Sequence, residues 1–391
     1  MKALALAAAF TAPLGSQLID LNVAPDGAAW VRDEYSRTVR VAPDGRVRAT
    51  ELPDPAVAST IGADGQAWFS DGDGGLQRVD ANGRVTAPRE AGVARPESGF
   101  DLVAGPDGGL WSIASGETPK LLRFTPDGGY HETPLALPGC DDAFAVPQLA
   151  RAADGAVWAD DSSCNRLVRV DATGAVATIQ LPQELAVTAI APDATGGVWF
   201  SALDPVGGHV TAAGEVTLLP AAPSLGRLTP WAVAVAPDGR PWFATQHCTL
   251  LTVNAAGAIE RRAAPIPARE LAFAPDGRLW LSSLTRVAHA DAPTNRCDDK
   301  RPTIKVKSSV SLRRGVRITV NEPGRLDVHA YPAGGKVTID RTFTLRRRGS
   351  VQLRFPKRWK LERGDAVWLM LQARDRDGNA AIRDIKLRVK L

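Results

Sequence analysis

No run of the 391 residues stays apolar for the roughly 18 positions a helix needs to cross a bilayer, so no segment reads as a transmembrane helix. Cysteine is scarce: there are four, Cys140, Cys164, Cys248 and Cys297. They form neither CxxC nor any other zinc spacing, and no histidine recurs at a ligand offset, so no metal site is assigned. The net charge is only +4 and no RNA- or DNA-binding motif is present, which sets nucleic acid aside as a partner. Glycine and proline are plentiful, 36 and 29 residues, as expected of many short strands joined by tight turns.

The N-terminus allows two readings. Met1-Lys2 followed by apolar Ala3 to Phe10 has the texture of an incomplete export signal, shorter than the usual 15 to about 30 residues. The same residues also suit a β-strand. Four scattered cysteines permit two disulfides and hence an oxidising compartment, extracellular or periplasmic, the alternative being four buried thiols.

The dominant signal is an internal repeat. APDGAAW at 24–30 returns as GADGQAW at 62–68, GPDGGLW at 105–111, AADGAVW at 152–158, APDATGGVW at 191–199, APDGRPW at 236–242 and APDGRLW at 274–280. Its seven tryptophans, Trp30, Trp68, Trp111, Trp158, Trp199, Trp242 and Trp280, are spaced by 38, 43, 47, 41, 43 and 38 residues, each the length of one four-stranded blade. A short apolar strand precedes each copy and the Pro-Asp-Gly is turn chemistry. The Trp opens a second strand, and in six copies a further hairpin such as LVRVDATGAVATIQL supplies strands three and four. The seventh copy has no clear fourth strand. An open ring would leave two unpaired edges, so residues 2–10 are candidates for the missing strand, with 292–299 as the substitute.

The repeat stops at Trp280. From about residue 300 the texture becomes alternating strands (VRITV, RLDVHAYP, AVWLMLQAR, IRDIKLRVKL), as in an immunoglobulin- or fibronectin-III-like sandwich. The expected organisation is all-β: a seven-bladed β-propeller over 1–292, a linker over 293–300 and an immunoglobulin-like β-sandwich over 301–391. Charge divides at the same boundary. Residues 300–391 carry 24 basic and 8 acidic residues, a net of +16, which leaves −12 on the rest. A domain so basic suits an anionic envelope polymer, unless its cations simply solvate strand faces.

The strand, GPDG, W-F pattern, clearest in IGADGQAWFSD at 61–71 and VAPDGRPWFAT at 235–245, resembles the streptogramin (virginiamycin B) lyase family from residue 10 to about 292. NHL-repeat and gluconolactonase-like propellers share part of it. The resemblance implies opening of a cyclic ester by elimination, with a His before GPDG in late blades as general base and Glu residues after WFT helping to hold magnesium and the lactone. The positions matching that His are Ile19, Val57, Phe100, Pro147, Ala186, Trp231 and Arg269, and none is His. Those matching the Glu are Asp33, Asp71, Ala114, Asp161, Ala202, Thr245 and Ser283. No cofactor is expected unless the lyase chemistry survives, which would need Mg. For a gluconolactonase-like metal cage, Asn22 is the one candidate ligand and lacks partners, and DGDGG at 71–75 reads as a plain turn.

Inner-strand starts and the loops joining second to third strands point to one face of such a ring. This groups Phe100, Trp231, Arg269, Asp33, Asp71, Asp161 and His247 at the tunnel mouth, suiting a small molecule, sugar or peptide. His131 and His329 read as structural. On the same face, Cys140 in the long connection into blade four comes near Cys164, which predicts a disulfide. Cys248 and Cys297 form the companion pair, although Cys248 lies in a second-to-third-strand loop and Cys297 leaves blade seven from its outer edge. The expectation is an exported binding protein rather than an enzyme; as an enzyme it would be a lyase or lactonase.

Overall fold

Repeated turn chemistry lays down seven four-stranded antiparallel sheets. The computed structural model describes residues 9–11, 17–33, 36–71, 75–89, 101–105, 107–114, 119–125, 129–135, 137, 148–182, 184–203, 206–220, 228–290, 297, 300, 302–306, 309–311, 315–332, 338–356, 359–375 and 380–390. Blade one runs from the centre outward through Leu18–Val23, Ala29–Asp33, Arg37–Val41 and Val47–Glu51. Its second strand is wholly buried and its fourth mostly exposed, the gradient expected of a sheet packed on both faces near the axis. The inner strands of blades two to six begin at Ala58, Val103, Leu149, Val187 and Ala232.

Blade seven is completed from the other end of the sequence. Glu270–Phe273, Leu279–Ser282 and Arg286–His289 take Ala9–Thr11 as their outer strand, with Ala9 opposite Ala288 and Thr11 opposite Arg286. The end of the 2–10 segment thus supplies the closing strand, with residues 2–8 outside the described residues. Among the described residues there is no α-helix.

The repeat motif explains itself atom by atom. In blade one Gly27 sits at φ 79°, where a side chain would be strained, and its N–H closes the turn on the Ala24 carbonyl at 2.8 Å. The Asp26 carboxylate accepts the Ala28 N–H at 3.0 Å, and Asp64, Asp107, Asp154, Asp238 and Asp276 repeat the bond. The tryptophans fill the seams between blades, and Trp111, Trp158 and Trp280 are fully buried. Two indoles reach the next turn: Trp158 Nε1 donates to the Gly196 carbonyl at 3.1 Å, and Trp280 Nε1 to Gly27 at 3.0 Å, tying the last blade to the first.

A cation or histidine stands opposite the tryptophan in six blades: Arg40, Arg78, Arg123, Arg169, His209 and His289. Arg123 lies 4.4 Å and Arg78 5.4 Å from the facing ring. Arg40 pairs with Asp26, Arg169 with Asp154, and His209 with Asp193 at 2.5 Å. The turn aspartate thus serves twice, capping its own turn and anchoring the Arg or His opposite the indole.

The chain divides into two compact units that meet in sequence between Cys297 and Asp298. The second is a sandwich. One sheet orders Ile304–Val306, Val316–Val320 and Gly349–Leu353; the other orders Ser309–Ser311, Ala380–Lys390, Ala366–Asp375, Gly324–Pro332 and Ile339–Leu345. Ile304, Ile318 and Leu353 of the first meet Leu326, Val328, Leu369, Leu371 and Leu387 of the second in a single core. Ser309–Ser311 pairs in parallel with Arg388–Lys390, an eighth strand too short to show alternation in sequence.

Candidate functional site

The inner strands of all seven blades enclose a cavity of about 1270 Å³. Three carboxylates stand on its lining: Asp20, Asp101 and Glu270. At Asp20 the inner strand of blade one is bulged. The register slips between Ile19 and Asn22, and Asp20 takes φ 57°, uncommon for a residue other than glycine. The bulge presents the N–H groups of Asp20 and Leu21 to blade seven, where Glu270 accepts both, at 3.1 and 2.9 Å, and also the Ser282 hydroxyl at 2.9 Å.

On its other side Asp20 receives Arg32 Nε at 2.6 Å. Buried Arg32 continues to the carbonyls of Ala56, at 2.6 Å, and Val57, which lead into blade two. A second chain of bonds begins in blade three. Asp101 accepts the Leu149 N–H of blade four at 2.7 Å and the Leu102 N–H at 2.9 Å. Asp160 accepts the Gln148 N–H, and the Ser162 hydroxyl at 2.8 Å. The Gln148 amide donates to the Thr188 carbonyl of blade five at 2.7 Å, and the Thr188 hydroxyl to Pro230 beside blade six at 3.1 Å.

These positions shift the carboxyls. Loss of solvation pushes Asp101 up to about 7, against the pull of the Leu149 N–H and with the Asp20 charge adding. Burial raises Asp160 to about 6, opposed by the Gln148 N–H. Burial, reinforced by the Asp20 charge, also raises Glu270. A carboxyl near 7 exchanges its proton around neutral pH, while both bonds that Asp101 accepts come from backbone N–H groups. Among the described residues no three His, Cys, Asp or Glu side chains gather into a metal-holding group. Asn22 instead donates to Ser59 Oγ at 3.1 Å.

Of the residues grouped from sequence, the cavity lining holds Trp231, 44% exposed, and Arg269. Three acids serve their own loops. Asp33 accepts the Arg37 N–H at 3.0 Å, Asp71 the Gly75 N–H at 2.9 Å, and fully buried Asp161 pairs with Arg166 at 2.7 Å. His247 is half-buried and absent from the lining, its carbonyl taking the Ala268 N–H at 3.3 Å. Phe100 lies outside the described residues.

Cys248 and Cys297 are joined, with Cα atoms 5.9 Å apart. Cys297 stands eight residues beyond His289, the end of blade seven's third strand. Cys164 is also disulfide-bonded, while Cys140 lies outside the described residues. Asp20, Asp101 and Glu270 escaped the sequence reading, although each directly follows a position compared with the family's histidine. The available signal was an acid opening an otherwise apolar inner strand: IDLNV, FDLVA, ELAF.

Residues 9–289, the span of the seven blades, match the Virginiamycin B lyase family. The virginiamycin B lyase of Nocardia farcinica (strain IFM 10152) is 34% identical over 146 residues, 37% of this chain and 48% of that protein. The match thus spans about half the length of that curated relative. A streptogramin B lyase structure superposes with a TM-score of 0.62 at 18% identity, covering 72% of this chain and 95% of its own. A catalytically inactive histidine-to-alanine variant of the Staphylococcus aureus virginiamycin B lyase, solved with quinupristin, gives 0.59 at 20% identity, covering 72% and 96%. At such identities the structures speak for the fold, whereas the match over residues 9–289 speaks for descent: the chain belongs to the virginiamycin B lyase family.

Proposed function

We propose that this protein is an exported binding member of the family. Its tunnel mouth takes a small molecule, sugar or peptide, and its basic sandwich attaches it to an anionic envelope polymer. The carrying observation is the state of the tunnel's acids. Of the lining acids, Glu270 and Asp101 are committed to N–H groups of neighbouring blades and Asp20 to Arg32, and none of the chain's five histidines is among the lining residues. A general base opposite an electrophilic partner has no counterpart in that arrangement. Trp231 supplies exposed aromatic surface and Arg269 a cation for a ligand instead. The disulfide between Cys248 and Cys297 supports export.

The test is incubation of purified protein with a type B streptogramin and magnesium. The lactone is expected to stay closed, and turnover at about 1 per second or faster overturns the reading. Calorimetric titration with the same compound and with oligosaccharides then identifies the ligand class, and Trp231→Ala should weaken it. One observation favours a second reading, a divergent C–O lyase or lactonase acting on a cyclic ester with a metal ion: Asp101, on the lining, is poised near 7. In that case the lactone opens with a pH profile that Asp101→Asn abolishes.

A further inference from the structure

The outward face of the five-stranded sheet carries a row of side chains that neither the core nor the strand pairing uses. On Ala366–Asp375 the alternate residues Val367, Leu369, Leu371 and Ala373 are buried in the core, which turns Trp368 and Met370 outward. Trp368 pairs directly with Tyr331 on one neighbouring strand and with Lys386 on the other. Lys386 Nζ lies 5.1 Å from the Trp368 ring, and the His329 ring lies 5.7 Å from Tyr331. Met370 and Ile382, on the same face, are 49% and 69% exposed, unusual for large apolar side chains. Exposed Arg388 and Lys390 continue the cationic row beyond Lys386.

Charge alone would be met by any polyanion. The face, however, is not purely cationic. Asp384 stands two residues before Lys386, and Asp340 pairs with His329. Packed phosphates would be repelled by those acids, whereas hydroxyl groups can donate to them. Trp368 and Tyr331, directly opposite on strands about 4.8 Å apart, put two aromatic side chains with polarisable faces on one side of the sheet. Only a ligand offering flat C–H surfaces, hydroxyls and anionic groups together uses all three features.

We infer that the Tyr331–Trp368–Lys386 face is a binding site for an acidic polysaccharide: sugar rings stack on Trp368 and Tyr331, carboxylates meet Lys386 and Arg388, and hydroxyls meet Asp384. This deepens the proposed polymer attachment and rests on it. Charge complementarity with residues 300–391, of net +16, provides the long-range attraction, and the aromatic row provides selectivity.

The experiment uses the full chain and four probes at low salt: polygalacturonate, polyglutamate of matched charge, neutral dextran and a thymidine oligonucleotide. Polygalacturonate should bind at least tenfold more tightly than polyglutamate, and dextran should not bind. Trp368→Ala should weaken polygalacturonate at least tenfold while leaving polyglutamate within twofold, and Trp368→Phe should restore most of the loss. Should Trp368→Ala shift the melting curve, Tyr331→Ala and the phenylalanine variant carry the same comparison. Equal binding of both polyanions, insensitive to Trp368, overturns the polysaccharide site and leaves general attachment standing. Preference for the oligonucleotide overturns it in favour of nucleic acid. If no polyanion binds, the attachment reading falls with it.

Discussion

The two units bury their apolar side chains in opposite ways. The propeller divides its interior among several clusters, each strung between neighbouring blades. One joins Trp158 to Phe200 across blades four and five, and another joins Trp111 to Val168 across blades three and four. The sandwich gathers one cluster from both sheets, drawing together residues as distant in sequence as Ile304 and Val389. A structure made of seams must repeat its chemistry at every seam, and repetition is readable in sequence. A structure made of one core needs only alternation, which many folds share. Charge follows nearly the same division, −12 before residue 300 and +16 from residue 300 onward.

The sharpest way to break this comparison is to remove a seam. Trp280→Ala deletes a fully buried ring and its bond to Gly27, and should cost about 3–5 kcal/mol. Calorimetry should show the propeller transition fall while the sandwich transition stays; if both move together, the units do not melt independently. The reciprocal change, Leu371→Ala in the sandwich core, should cost about 3 kcal/mol and move only the sandwich transition. Replacing both Cys248 and Cys297 by serine opens a loop with a sequence separation of 49 and should lower the propeller transition by about 2–4 kcal/mol. Addition of reductant to the wild-type protein should reproduce that part of the loss.

The smallest effect depends on pH. Asp101 holds its proton up to about 7 in the folded chain, against about 3.8 when unfolded. The folded state therefore binds more protons between those values, and this group's contribution is fully present below about pH 4 and lost as pH rises to about 7. The propeller should be less stable at pH 8 than at pH 5 by on the order of 2–3 kcal/mol from this source. Asp101→Asn should flatten that slope in paired melts, and an unchanged slope would assign the pH dependence to Asp160 or Glu270.

Blade count and the turn at each repeat were legible because each depends on local residue types, Pro-Asp-Gly and a spaced tryptophan; of the apolar run at 2–10, its end at Ala9 and Phe10 supplies the closing strand. The cations opposite the tryptophans were equally present, Trp30 to Arg40 and Trp68 to Arg78 at ten residues, but that spacing acquires meaning only once the hairpin register is known. The rim acids were hidden for a different reason. Asp20, Asp101 and Glu270 act across blades on partners such as Leu149, 48 residues from Asp101, and no single repeat contains both halves of such a bond. The bulge that turns Asp20 toward Glu270 leaves no compositional mark, since aspartate stands where a glycine would have announced it.

The pairing of Ala9–Thr11 with Arg286–His289 has a consequence in time. During synthesis the earliest strand waits for a partner translated about 275 residues later. At 5–20 residues per second that interval is roughly 15–55 s. Six blades can stack while the first strand stays unpaired, and the circle shuts only when the seventh leaves the ribosome or, on the export reading, clears the translocation channel. Until then the growing chain remains an open arc with two unpaired strand edges. Closing the ring is thus the last assembly step of the propeller, reached while most of the second unit is still to be made.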